Sequence, residues 1–174
     1  MNFMIFPPPL LNEEHRLEAL YDACLLDTPP EAAFDFITRL AARLCQTKIA
    51  LISLVDRDRQ WFKSSYGLAV EETPRMSSFC AHAIHDRTLF EVCDASQDPR
   101  FWDNPLVLGA PNIRFYAGMP LQTKDGHCLG TLCVIDDRPK QLSSRERAHL
   151  QSLAKQAEQH IHWRSQYLSK IAAL

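Results

Sequence analysis

Glycine is scarce and nowhere clustered in this 174-residue chain: Gly67, Gly109, Gly118, Gly126 and Gly130 each stand alone. Rossmann and Walker loops need closely spaced glycines so that backbone can approach a phosphate, which excludes the usual hardware of nucleotide-dependent catalysis. A G-x-S-x-G nucleophile elbow, an H-E-x-x-H metal helix and a paired-carboxylate signature are also missing. Among six cysteines (Cys24, Cys45, Cys80, Cys93, Cys128 and Cys133) there is no C-x-x-C pair, so neither that redox motif nor a zinc knuckle can be assembled. Thiols so few and scattered make no disulfide scaffold in a chain of this length, and we read them as reduced. Charge of one sign is lacking: 19 basic against 21 acidic residues give −2, which leaves no positive field for a nucleic-acid backbone. No apolar run approaches the roughly twenty residues of a bilayer-spanning helix. The greasy opening from Met1 to Phe6 lacks a basic n-region and runs into Pro7-Pro8-Pro9, unlike a signal peptide. A cytoplasmic protein with no nucleic-acid partner and no membrane partner is expected.

What is present is a globular composition, 46% hydrophobic and 23% charged, in a length suited to one domain. Asn12 can cap a first helix carrying Leu17, Leu20, Tyr21 and Cys24 at helical spacing and ending near Asp27. Thr28-Pro29-Pro30-Glu31 reads as a capping box for a second helix over about residues 30 to 46, with Phe34, Ile37, Leu40, Ala41 and Leu44 on one face. From Lys48 the period becomes two. Both faces of Ile49 to Val55 are apolar, which predicts a central strand covered on each side. Arg57-Asp58 turns into a half-polar partner strand from Gln60 to Tyr66, closed by Gly67, in which Trp61 and Phe62 face opposite ways.

Ser77 or Ser78 can cap a short helix to about His85, and Leu89 to Cys93 is a further strand. Prolines, aspartates and Gly109 between Asp94 and Ile113 permit a loop with at most two helical turns. Arg114 to Thr123 and His127 to Asp136 form two strands joined at Asp125-Gly126. Ser143-Ser144-Arg145-Glu146 then opens a long closing helix, with Leu150, Ala154, Ala157, Ile161, Leu168 and Ile171 at alternating spacings of four and three, interrupted at Arg164. Its second half is hard to bury within one small domain, which predicts helix pairing between two chains. Two helices, a mostly antiparallel sheet and a terminal helix make the fold α+β.

Reactive side chains concentrate at Cys80-Ala81-His82-Ala83-Ile84-His85. A thiol in the first turn of a helix gains from the dipole, so Cys80 is the candidate nucleophile, with a small buried hydrophobe as the alternative. As a metal site the cluster is poor, since Cys80 and His82 diverge around a helix. The remaining thiols are read as structural, with Cys128 and Cys133, five apart on one strand, on opposite faces. A second concentration, Asp98, Arg100, Phe101, Arg114, Phe115 and Tyr116, describes either a pocket for a small, partly polar ligand or a turn with a local ion pair.

Seven segments in order resemble a GAF domain, the small-molecule sensor of bacterial signalling proteins: Leu26 to Glu31, Ile49 to Asp56, Gln60 to Ser64, Ser78 to Ile84, Asp98 to Phe101, Ile113 to Leu121 and Leu129 to Asp136. The resemblance implies an antiparallel five- to six-stranded sheet, with N- and C-terminal helices on one face and short helices and a long loop over a ligand pocket on the other. It divides the chain into an N-terminal tail (1–11), a sensor domain (12–160) and the end of a signalling and dimerisation helix (161–174). The ligand-binding residues it implies are Trp61, Phe79, Cys80, His82, Asp98, Arg100, Phe101, Arg114 and Tyr116, with no catalytic residue and no metal. Homodimerisation through the terminal helices and output to a histidine kinase or diguanylate cyclase effector, in cis or in trans, are implied as well. The sequence names no ligand or cofactor. Bilin-binding relatives have a histidine next to the attachment cysteine, whereas Ala81 separates Cys80 from His82; haem binding would call on His82 or His85. Free methionine-(R)-sulfoxide reductases place a cysteine near Cys80 but need another in the loop entering the Arg114 strand, which has none. That thiol chemistry and a ligand-free dimerisation module are the alternatives.

Overall fold

The computed structural model describes residues 4–174, so the first three residues of the expected tail lie outside the described part. Two helices come first, α1 (Glu13–Asp22) and α2 (Ala32–Leu44), then strands β1 (Ile49–Val55), β2 (Arg59–Tyr66) and β3 (Glu72–Pro74). Helix α3 (Phe79–Ala83), strand β4 (Phe90–Val92) and helix α4 (Pro105–Leu108) lead to β5 (Phe115–Gln122), β6 (Cys128–Asp136) and the long α5 (Ser144–Ala172). The six strands form one antiparallel sheet in the order β3-β2-β1-β6-β5-β4. This is the expected α+β architecture with a sheet of six strands.

Alternation along β1 assigns the layers. Ala50, Ile52 and Leu54 pack with Leu17, Leu20, Phe34, Ala41, Leu150 and Ala157 of α1, α2 and α5. Ile49, Leu51 and Val55 pack on the other face with Phe79, Cys80, Phe101 and Tyr116. The strand is buried throughout because each face has its own cover.

Local chemistry sets several boundaries away from the sequence expectation. Helix α1 stops at Asp22, because Cys24 and Asp27 adopt positive φ (50° and 58°) and break it. Thr28 caps nothing: its hydroxyl donates to the Leu25 carbonyl, and α2 begins at Ala32 without a side-chain cap. Glu31 is drawn away into ion pairs with Lys63 and Arg164. The capping box at Ser143 and Glu146 does form and starts α5 as expected. Strand β3 was not anticipated, since three residues carry no readable alternation. Cys128 and Cys133 share one face, because a register shift at Leu121/Gln122 interrupts the alternation between them.

Two buried charges tie the helical layer to the sheet. Arg16, 1% exposed, gives its guanidinium to Glu13 at 2.9 and 2.8 Å and to the Cys128 carbonyl at 3.3 Å. Lys63 is the extra residue of a β-bulge between β1 and β2. Its fully buried ammonium meets Glu31 at 2.9 Å and the Thr28 hydroxyl and Pro29 carbonyl at 2.7 Å each. Arg164, which interrupts the apolar stripe of α5, reaches the same Glu31 carboxylate at 2.7 Å and donates to the carbonyls of Ala23 and Cys24. The interruption is therefore an anchor. Beyond Ile161 the stripe leaves the domain, and Trp163, Tyr167, Leu168 and Ile171 stand exposed. Among the described residues no helix is long and apolar enough to cross a membrane.

Candidate functional site

Ser78 is the expected cap: its hydroxyl accepts from the Ala81 amide at 3.0 Å and aims the first turn of α3 at β5 and β6. Cys80 thereby lands on polar atoms from the sheet. Tyr116 Oη donates to its sulfur at 3.2 Å and Thr131 Oγ1 at 3.1 Å. The tyrosine lies flat over Gly118, where a Cβ would sit 2.2 Å from its hydroxyl, so only glycine admits that pose. Cys133 stands opposite Gly118 in the β5–β6 register and completes the cluster. Burial works against the Cys80 thiolate, but hydrogen bonds from Cys133, Ser53, Thr131 and Tyr116 outweigh it and bring the thiol down to about 6. Burial, reinforced by the neighbouring Cys80 charge, pushes Tyr116 and Cys133 well above their usual range.

A cavity of about 200 Å³ opens beside this thiol, lined by Leu51, Phe62, Leu68, Val70, Phe79, Ile113 and Ile135 with polar atoms from Gln60, Thr73, Cys80 and Tyr116. Gln60 is held at both its oxygen and its nitrogen. Its carbonyl oxygen accepts from Ser53 (3.2 Å) and Ser78 (2.7 Å), and its amide donates to Thr73 at 2.6 Å. Wider grooves of about 740 and about 990 Å³ lie at the β2 edge and between α5 and the β5–β6 hairpin; neither is lined by Cys80 or Tyr116. The small cavity is thus mostly apolar, with one thiol in its wall.

Of the residues expected to contact a ligand, Phe79, Cys80 and Tyr116 line this cavity. Phe101 stacks on the far side of Phe79 at 4.0 Å, and His82 meets the Phe101 edge at 4.9 Å. Arg100 is clasped by Asp98 through two bonds of 2.9 and 2.6 Å and lies 4.9 Å over Phe90 and 5.2 Å over Phe101. His82, Asp98, Arg100 and Phe101 therefore form an outer cluster, separated from the cavity by the aromatic stack. Burial and the Arg100 charge hold His82 down to about 4, neutral at ordinary pH. Arg114 donates to the Val107 and Ile113 carbonyls at 3.0 Å and braces the loop around α4. Trp61 packs in the helical layer, and its neighbour Phe62 takes the cavity face, in keeping with the alternation. Thr73 and Val70 reach the cavity from the segment around β3, which no pattern in the sequence marked. Among the described residues no three His, Cys, Asp or Glu side chains converge on a metal-sized site.

The GAF domain family model matches residues 29–161. This chain belongs to the GAF family. Over 157 residues it is 48% identical to a cyclic di-GMP phosphodiesterase of Pseudomonas aeruginosa, a match that covers 89% of this chain and 27% of the relative. The chain thus spans about a quarter of the length of that relative. Among solved structures, the blue-light absorbing form of the PixJ GAF domain from Thermosynechococcus elongatus superposes with a TM-score of 0.66 at 13% identity, covering 96% of this chain and 97% of that one. The GAF domain of an Acinetobacter phosphoenolpyruvate-protein phosphotransferase gives 0.64 at 17% identity, covering 88% and 95%. The free methionine-R-sulfoxide reductase of Neisseria meningitidis gives 0.62 at 17% identity, covering 97% and 99%. At such identities the GAF likeness to the structures speaks for fold alone.

Proposed function

We propose that this GAF domain is a non-enzymatic sensor that takes a small, largely apolar molecule into the cavity beside Cys80 and signals through α5. The observation that carries this reading is a small, mostly apolar cavity lined by one thiol. At about 200 Å³ it is smaller than the roughly 300–1,000 Å³ of drug-sized ligand sites, which favours a ligand of a few heavy atoms over a cyclic dinucleotide, haem or bilin. In this reading residues 12–160 sense and residues 161–174 end the output helix. Two copies pair through α1 and α5, covering the exposed Trp163, Tyr167, Leu168 and Ile171. The effector, in cis or in trans, is of the histidine kinase or diguanylate cyclase type; the name of the Pseudomonas aeruginosa relative, a cyclic di-GMP phosphodiesterase, supports an output in cyclic di-GMP.

A physical route joins the two faces. Phe62 lines the cavity, and Lys63, the next residue in β2, holds Glu31 on the helical side, where Arg164 of α5 binds the same carboxylate. A ligand that displaces Phe62 shifts Lys63 and hence the anchor of the output helix. The test compares native and denaturing mass spectra of protein purified from cells, then hydrogen exchange in residues 161–172 with and without the retained molecule. A dimer with a small non-covalent mass, and altered exchange in α5 on its removal, is expected; unchanged exchange after demonstrated binding refutes the coupling. The tight stack of Phe79 on Phe101 favours a second reading, a module that only dimerises. A dimer that never carries extra mass would select it. Turnover of free methionine sulfoxide lost in Cys80→Ser would instead establish a thiol enzyme.

A further inference from the structure

Cys80 and Cys133 are buried on two elements that pack together, 2% and 0% exposed. Both thiols converge on one polar spot. The Tyr116 hydroxyl that donates to Cys80 lies over Gly118, the cross-strand partner of Cys133, and Thr131, two residues before Cys133 on the same strand, donates to Cys80 as well. The other four thiols are placed differently: Cys24 and Cys93 are exposed, while Cys45 and Cys128 point at the carbonyls of Glu146 and Asp86. Of the pair, Cys80 lines the cavity and Cys133 does not. This asymmetry assigns an order to any reaction with a molecule that enters.

We infer that Cys80 and Cys133 form a buried dithiol which a small hydroperoxide entering the cavity oxidises to a disulfide. The Cys80 sulfur attacks the outer oxygen of the peroxide; the O–O bond breaks, alcohol or water leaves, and Cys80 becomes a sulfenic acid. The Cys133 sulfur then attacks the Cys80 sulfur, its proton leaves with the hydroxyl as water, and the S–S bond forms. Two thiols and one hydroperoxide give one disulfide, one alcohol or water, and one further water. The hydroxyl donors around Cys80 favour thiolate on the attacking sulfur, while Cys133 keeps its proton until the second step. The cavity volume selects the oxidant: hydrogen peroxide or a short alkyl hydroperoxide fits within about 200 Å³, and a glutathione-sized molecule does not. This inference rests on the proposed function only in requiring that the cavity admit small molecules.

The test uses the full chain with exposed Cys24 and Cys93 changed to Ser. Treatment with hydrogen peroxide is expected to remove two hydrogens from the intact mass and to yield a linked Cys80–Cys133 peptide on non-reducing digestion. In a Cys133→Ser variant, dimedone is expected to trap a sulfenic acid on Cys80, and in Cys80→Ser neither product forms. Circular dichroism checks that each variant is folded, and mapping in the parent chain does not depend on them. Methyl methanethiosulfonate, a small thiol reagent, reports access to Cys80 in the folded protein. If it labels Cys80 while peroxide leaves Cys80 and Cys133 free, or oxidation stops at the sulfenic acid in the parent, the dithiol is refuted and the ligand cavity stands. If it fails to label Cys80 at all, the cavity is closed and both readings fall.

Discussion

Replacing Glu31 with Gln removes a carboxylate that serves both the sheet, through Lys63, and α5, through Arg164. In the folded chain Lys63 Nζ and Arg164 Nε approach Glu31 at 2.9 and 2.7 Å. After the change the buried ammonium of Lys63 has no counterion and keeps only neutral partners: a side-chain amide, the Thr28 hydroxyl, the Pro29 carbonyl and the face of Phe34 at 5.7 Å. A buried charge that loses its counterion costs about 3–5 kcal/mol, which for a domain of this size lowers the thermal midpoint by roughly 6–20 °C. Arg164→Ala is the control. It deletes a charge-assisted bond and two bonds to carbonyls, but it leaves Glu31 neutralised by Lys63, so about 1.5–3 kcal/mol is expected. Urea denaturation of the two variants side by side reads the ranking. Burial opposes ionisation of Glu31, yet its two cationic partners outweigh burial and hold its pKa below the usual value. The stability so gained is complete above the unfolded carboxylate pKa, near 4.3, and is lost as the pH falls below it, so the gap between the parent chain and Glu31→Gln must shrink there. If Glu31→Gln costs no more than Arg164→Ala, or the gap is flat with pH, the anchor as described is wrong.

Glu13 is opposed by burial but held down to about 2 by its bonds from Arg16 and Arg75, so the advantage of the parent over Glu13→Gln is expected to be full at pH 6 and to disappear between about 4.5 and about 2. Urea melts at stepped pH check this. Gly118→Ala drives a Cβ into the Tyr116 hydroxyl and should cost about 1–3 kcal/mol, and less in a Tyr116→Phe background where that oxygen is gone. A double-mutant cycle with no coupling would remove the steric account. Trp163→Ser with Tyr167→Ser is expected to shift the chain from dimer to monomer in sedimentation while leaving its circular dichroism unchanged. A dimer that persists would locate pairing elsewhere.

Which residues pack inward was decided by the sequence wherever a pattern was long enough. Seven consecutive apolar or small residues in β1 required cover on both faces, and Ser143 with Glu146 set the start of α5 through local hydrogen bonds alone. Short or conflicting signals were settled only by tertiary contacts. Glu31 reads as a capping residue until Lys63 and Arg164, distant in sequence, compete for its carboxylate with stronger charge-assisted bonds. Strict alternation separates Cys128 from Cys133 until a register shift, invisible along one strand, returns them to the same face. The place of Cys80 in the first turn of a capped helix was legible in the sequence. Its partners Tyr116, Thr131 and Cys133 were not, because strand pairing and the absence of a side chain at Gly118 bring them together. Periodicity thus records which side of an element is buried, whereas the meeting of two buried sides is fixed by the whole fold.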